Sequence, residues 1–379
     1  MTTLTQLIEQ YCPDGVEYVK LGNVIELNPG TRITKARDTG TMFPVYGGGG
    51  VSFYTDDSNR SDEWVISRFA MSAHCFRYVS GKFWLLDSGI TFAVRGEQSK
   101  PYIAHFLSSI QPLIYATSSK SAQRNLRVKD FLKLEIPLPP REVQDAIVER
   151  LDAFAKLIES LDSEIALREK RFEYFREQLL TFNESNGVEY VKLGDVGSIT
   201  RGRGLTKKDL RDQGSPAIHY GQIYTYYGDA TSATTSFVAP ELTEKLTRVN
   251  PGSAIVACTS ENIEDLGKST VWLGQSPVFT GLHTLVFEHQ LEPMYVGHWL
   301  RTYSFFKQKL SVSYGTKVLE LSAKAFSEVR IPLPPREVQQ DIADKLDTMQ
   351  ALIDNLKQER DLRKIQFEYY REKLLTFNS

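Results

Sequence analysis

Nine residues, IPLPPREVQ, stand at positions 136 to 144 and again, letter for letter, at 331 to 339. An exact repeat of that length constrains the fold more than any single element can, because a pattern used twice calls for two similar units. The repetition spreads outward from the motif. GVEYVKLG at 15 to 22 returns at 187 to 194, YIAHFL at 102 to 107 returns as YVGHWL at 295 to 300, and FEYFREQLLTFN at 172 to 183 returns as FEYYREKLLTFN at 367 to 378. The offset between copies grows from 172 at the opening to 195 at the close. Tyr46-Gly47 matches Tyr220-Gly221, so the excess falls after it, and IYTYYGDATSATTSFVAPELTEKL is expected to carry it as a surface loop. The start of the chain, TQLIEQYCPDGVEYVKLG, also resembles EQLLTFNESNGVEYVKLG, with Leu7 and Ile8 where Leu179 and Leu180 stand. A twofold arrangement of the units then predicts the last helix lying beside the first short one.

Before each IPLPP the chain reads as mixed α+β. EWVISRFAM, ITFAVRG, SAIVACTS and HTLVFE are strand-like runs broken by turn residues, and PYIAHFLSSI is helical. After each IPLPP the roughly 40 following residues lack Gly and Pro, and Pro140 suits a first helical turn, where a missing N–H costs nothing. Ile147, Leu151, Phe154, Ile158, Leu161, Ile165, Phe172, Phe175 and Leu179 mark a coiled-coil seam, repeated through Ile342, Leu346, Met349, Ile353, Leu356, Phe367, Tyr370 and Leu374. Arg168, Arg360 and Arg363 interrupt it. Two such helices, each about 60 Å long at 1.5 Å per residue, pair most simply antiparallel. The expected division is a mixed region at 1–131, a helix segment at 132–185, a second mixed region at 186–326 and a second helix segment at 327–379.

With 41% hydrophobic residues the chain can give both units a core. No leader-like start and no long apolar run predict a soluble, cytoplasmic protein with no membrane partner. Cys12, Cys75 and Cys258 lie too far apart in sequence for a zinc ribbon or disulfide framework. Catalysis has no visible home either. NIEDLGKST at 262 to 270 imitates the end of a phosphate loop, yet Asn262 stands where glycine is required and a β-branched run follows, so a turn between strands is expected. The glycines 47 to 50 precede VSFYTDD rather than a helix. The six histidines lack metal-like spacing, and the recurring His105 and His298 read as structural. No metal, cofactor or catalytic residue is therefore assigned.

The net charge of −2 hides a pattern: residues 1 to 131 carry +2 and 188 to 326 carry +1, whereas 132 to 187 carry −4 and 327 to 379 carry −1. Basic loops recur after the first strand of each unit, with Arg32, Lys35 and Arg37 in the first and Arg201, Arg203, Lys207, Lys208 and Arg211 in the second. A further patch holds Lys120, Gln123, Arg124, Asn125, Arg127 and Lys129, with Lys317 in its thinner counterpart. Lys and Arg neutralise phosphates, and Arg, Gln and Asn can also contact base edges. The candidates for DNA contact are Arg32, Lys35, Arg37, Tyr46, Arg68, Lys120, Gln123, Arg124, Asn125, Arg201, Arg203, Lys207, Lys208, Tyr220, Gln222, Tyr224 and Lys317. The competing account of any one of them is an ordinary solvated loop or a small core.

Taken together, the doubled IPLPPREVQ before a long helix, the doubled VKLG, PVYGGGG, and SAQRNL or YGTKVLEL ahead of each IPLPP resemble the specificity subunits of type I restriction-modification systems over the whole chain. The resemblance implies two pseudo-twofold-related α/β target recognition domains separated by two long antiparallel coiled-coil helices. It implies that each domain reads one half of a split, asymmetric site in double-stranded DNA, with about 35 Å between half-site centres if both lie on one face of the duplex. It further implies a non-catalytic chain that docks two methyltransferase subunits carrying S-adenosylmethionine. Endonuclease-translocase subunits using ATP and Mg would join through that complex. A stand-alone two-domain repressor is the second reading and an enzyme the third; neither explains the duplicated motif.

Overall fold

The computed structural model describes residues 4–182 and 187–377. Their packing forms two compact units, the first spanning Met1–Asp162 with Gln358–Ser379 and the second Ser163–Lys357. Each unit therefore contains a mixed α/β region and portions of both long helices, Arg141–Leu180 and Arg336–Leu375. The expected boundary between 185 and 186, and the last residue of each FEY repeat, lie outside the described residues.

The two motifs that bracket each mixed region pair with one another. In unit 1 Tyr18–Lys20 lies antiparallel to Glu135–Pro137 with Val19 opposite Ile136, and in unit 2 Glu189–Lys192 lies antiparallel to Arg330–Leu333 with Val191 opposite Ile331. The proline-rich segment cannot donate a full ladder, but it accepts well. Tyr102 donates its hydroxyl to Pro137 O and Tyr295 to Pro332 O, both at 2.8 Å. The buried Gln144 amide donates to Pro139 O at 2.7 Å and accepts from Ser99 N at 2.9 Å. Gln339 repeats this with Pro334 O at 2.8 Å and Glu292 N at 3.0 Å. His105 bonds Asp152 at 2.9 Å and His298 bonds Asp347 at 2.8 Å, so both recurring histidines pin a short helix to a long one. The nine-residue repeat is thus the joint at which each mixed region meets its long helix.

Unit 1 has a six-stranded sheet ordered Ile25–Pro29, Gly89–Val94, Arg60–Ser67, Phe76–Leu85, Phe43–Tyr46 and Val51–Thr55. The helix Lys100–Ser109 buries Tyr102 to Leu107 against it. Unit 2 has a five-stranded sheet ordered Gly197–Arg201, Thr284–His289, Ala254–Ala257, Ser269–Trp272 and Ala230–Thr231, beside a four-stranded sheet. Ala254–Ala257 and Ser269–Trp272 are buried at every residue, which explains their unbroken runs of small and apolar side chains. The excess segment of the second unit is not a simple loop. Its β-branched residues add Ala230–Thr231 to the five-stranded sheet and Ser236–Val238 to the other.

In unit 1 the long helices run antiparallel, with Phe154 stacked on Tyr370 at 5.4 Å and Arg360 paired with Asp162 at 3.4 Å. Unit 2 shows the same sense, with Lys357 paired to Glu169 at 2.7 Å beside the buried Phe172, Leu346 and Ile353. The seam departs from expectation in its last turns, where Phe175 is exposed and Arg176 is buried. Arg176 stacks over Phe172 at 5.2 Å, and Arg371 repeats this over Phe367 at 5.4 Å. The guanidinium buries its flat face while its edge meets Glu173 or Glu368.

Leu4, Leu7 and Ile8 share one core with Phe367, Leu374, Leu375 and Phe377, so the last helix does lie beside the first. It also takes the structural position assigned above to Leu7 and Ile8. Tyr18 donates to Phe377 O as Tyr190 donates to Phe182 O, both at 3.0 Å. The counterpart of Leu180 is therefore Leu375, and the first helix, Leu4–Tyr11, packs as an addition. The three cysteines are free and buried. Among the described residues no helix is long and apolar enough to cross a membrane, and no His, Cys, Asp and Glu group could hold a metal.

Candidate nucleic-acid interface

The same backbone framework gathers the candidate loops in each unit. In unit 1, Arg68 N donates to Ser88 O at 2.9 Å while Leu126 N donates to Arg68 O at 2.8 Å. Met71 N reaches Arg124 O at 2.9 Å and Ala70 N reaches Asn125 Oδ1 at 3.3 Å. The loop at 68–71 is thereby stitched between the turn at 86–88 and the patch at 118–126. Leu86 N donates to Tyr46 O at 2.8 Å, and Arg77 donates to Gly47 O at 2.9 Å and Gly48 O at 2.8 Å. A Cβ on Gly48 would stand 2.9 Å from Phe69 O and one on Gly47 2.6 Å from Ser88 Oγ, so these two glycines allow close approach. Gly30 N bonds Gly89 O at 3.0 Å and Thr31 N bonds Leu85 O at 2.8 Å, which sets Arg32 beside the same turn.

Unit 2 repeats this wiring. Cys258 N donates to His283 O and Leu321 N to Cys258 O, both at 2.9 Å. Gly202 N donates to Thr284 O and Leu282 N to Gly204 O, also at 2.9 Å. Ser88 and His283 are thus equivalent, as are Arg68 and Cys258, and Leu126 and Leu321. Burial pushes the Cys258 thiol up to about 11, which leaves it an inert core group. The phosphate-loop imitation is a turn after Thr259–Ser260: Lys268 pairs with Asp265 at 2.5 Å and the strand Ser269–Trp272 follows.

Among the expected contact residues, Arg32, Lys35, Arg37, Lys120, Gln123, Arg201, Arg203, Lys207, Lys208 and Lys317 are exposed. Both basic loops present their lysines from a capped turn. Thr34 N bonds Asp38 Oδ2 and Thr206 N bonds Asp209 Oδ2, each at 2.7 Å. Backbone and side-chain bonds from Thr206 hold the Asp209 carboxyl below its usual range. Lys35 and Arg37 sit on the turn Lys35–Asp38, whose following residues run to Tyr54 and Asp56 rather than to Ser88.

Several expected contacts, the exposed Arg201 among them, are engaged with other groups of their own unit. Arg201 pairs with Glu320 at 2.5 Å, and that hydrogen bond raises its pKa despite some burial. Gln222 accepts from His219 N at 2.9 Å and donates to Ser236 Oγ at 2.7 Å, closing a helix cap. Tyr224 donates to Thr259 O. Asn125 holds Ala70 as described, Arg124 lies over the Tyr115 ring at 4.5 Å, and Tyr46 packs edge-on to Phe83 at 5.6 Å. Arg68 covers the exposed Phe69 at 4.9 Å, and Tyr220 lies between His219 at 4.5 Å and His283 at 4.9 Å. Phe69, Leu282 and His283 reach the exposed surface here without any compositional signal.

Two alike α/β units, each gathering diverged basic loops on a repeated frame, define a DNA-recognition chain. Both copies match the family model described as "Type I restriction modification DNA specificity domain", over residues 13–167 and 185–363. The chain therefore belongs to that family and is a specificity subunit of a type I restriction-modification system. It is 24% identical over 352 residues to a putative type I restriction enzyme specificity subunit of Haemophilus influenzae, covering 88% of each chain. It is 23% identical to the specificity subunit of an Escherichia coli type I restriction enzyme, covering 85% of this chain and 79% of that one. A crystal structure of the type I S subunit from M. genitalium shares the fold, with a TM-score of 0.61, 18% identity, and coverage of 96% and 97%.

Proposed function

We propose that each mixed region reads one half of a bipartite, asymmetric DNA site, and that the long helices set the unread gap and dock two methyltransferase subunits. The observation that carries this reading is the division of labour between repeated and diverged positions. The joint residues recur almost unchanged, from Gln144 and Gln339 to His105 and His298, whereas the equivalent loop positions carry different side chains, such as Arg68 against Cys258 and Ser88 against His283. A frame kept constant suits one partner bound twice; differing loops suit two different half-sites.

The exposed apolar residues of the long helices support the docking part. Leu167 and Tyr174 lie two turns apart on one face and recur as Leu362 and Tyr369, all at least 45% exposed. In this account the chain does no chemistry and holds no cofactor. S-adenosylmethionine is bound by the methyltransferase, ATP and Mg by the endonuclease-translocase subunits that join through it, and the complex works in the cytoplasm. Co-expression with the cognate methyltransferase subunit and mapping of methylated adenines should return one split motif with a fixed gap. Tight sequence-specific binding by the chain alone, with no methyltransferase association, would favour the repressor reading instead.

A further inference from the structure

His283 is an exposed residue with φ at +68°, on the turn that leads into the strand Thr284–His289. Left-handed backbone is disfavoured for side chains other than glycine, and an outlier of this kind persists only where its surroundings enforce it. Here they do. His283 O accepts from Cys258 N and the preceding Leu282 N is held by Gly204 O, each at 2.9 Å. A Cβ on Gly281 would fall 2.2 Å from that of Leu205, so the turn is closed from beneath.

The ring is fixed as firmly as the backbone. Nδ1 lies 2.9 Å from Thr259 Oγ1, and the imidazole packs at 56° to Tyr220, 4.9 Å between centroids. Tyr224 braces the same place by donating to Thr259 O. Nε2 has no hydrogen-bond partner among the described residues, on a ring that faces solvent. Arg203, Lys207 and Lys317 are exposed cations on loops of the same unit. The equivalent position in unit 1 is Ser88, held by the same backbone bond from Arg68 N at 2.9 Å. One braced position thus carries a different polar side chain in each unit, and of the two only His283 has a left-handed backbone.

We infer that His283 is a specificity-determining residue of unit 2, its Nε2 edge hydrogen-bonding one base in the major groove. The inference rests on the DNA-reading role proposed above. Thr259 and Tyr220 act as positioning residues by holding the ring, and the exposed Leu282 beside it is placed for contact with a neighbouring thymine methyl.

The test uses the full chain with its methyltransferase subunit, and compares the methylated motif and duplex affinities of the wild type with those of His283→Gly, His283→Ser and Thr259→Val. Glycine suits the observed φ, so His283→Gly should fold with an unchanged melting temperature, and His283→Ser, which keeps a side chain at the left-handed φ as His283 does, controls for glycine's added backbone freedom. The expected result is relaxed selection at a single base pair of one half-site, with discrimination there falling about tenfold or more. The other half-site should be unaffected, and Thr259→Val should relax the same position to a smaller degree. An unchanged motif, or a uniform loss across all duplexes, would overturn the assignment. A wild-type complex with no split motif would instead sink the underlying functional reading, so the two failures are distinguishable.

Discussion

Gln144 and Gln339 show how single side chains hold a repeated joint together. Each is withdrawn from water and ties a backbone N–H before a short helix to the carbonyl of a proline that has no ladder partner of its own. Leucine fills similar space but leaves both groups unpaired, at about 1–3 kcal/mol for each. Gln144→Leu should therefore lower the unfolding free energy by several kcal/mol, read by denaturant titration; a loss within error would show that the joint relaxes around the change. His289 carries a pH-dependent contribution of opposite character. Burial, with Arg336 adding, drives its pKa down to about 4. Below about pH 6.5 the unfolded chain takes up a proton that the folded chain refuses, so stability is lost as pH falls from about 6.5 to 4. The ceiling on this is roughly 3 kcal/mol. His289→Gln should flatten that part of the stability curve; an identical acid limb in both proteins would refute the assignment. His298 works with the other sign: despite burial, bonds to Asp229 and Asp347 raise its pKa, so its contribution is lost as pH rises. Residue types pointed to these loops, but not to which of their side chains are engaged within the fold. Arg201, Gln222 and Tyr224 read as donors for DNA and are engaged with Glu320, Ser236 and Thr259. A positive φ at a histidine leaves no mark in the sequence.

At the scale of elements, periodicity revealed both long helices because 40 residues free of Gly and Pro leave few alternatives. It misplaced two late seam positions, where a four-three count selects Phe175 and Leu179. Phe172, Arg176 and Leu180 are the buried residues instead, spaced by four, since a guanidinium stacked on Phe172 packs as well as an aliphatic side chain and also reaches Asp229 at 3.9 Å. The strands Ala230–Thr231 and Ser236–Val238 escaped notice because each is too short to show alternation. The duplicated exposed pairs give the sharpest test at this scale. Leu362→Ala with Tyr369→Ala should reduce the methyltransferase subunits in the purified complex from two to one, and the same changes at Leu167 and Tyr174 should remove the other. Because these side chains are exposed, the fold should lose at most about 0.5 kcal/mol at each. Full occupancy after all four changes, by mass measurement, would move the docking surface elsewhere.

For the whole molecule, duplication carried most of what could be read. Repeated motifs in the same order gave two units, VKLG pairs with IPLPP in each, and the joint histidines proved structural. What the repeat could not supply is the content of the loops, since those are the positions at which the copies differ. The first helix shows a related limit: its sequence likeness to the end of the long helix is real, yet Leu375 occupies the place and Leu7 and Ile8 pack against the same core. The central claim is that one chain makes two different half-site readers act at a fixed separation. Single-molecule sequencing of adenine methylation in a host expressing the chain and its methyltransferase tests it most directly. The account predicts one asymmetric motif in two parts with an invariant gap, each part dependent on its own unit; two half-sites methylated independently, or at varying separation, would contradict it.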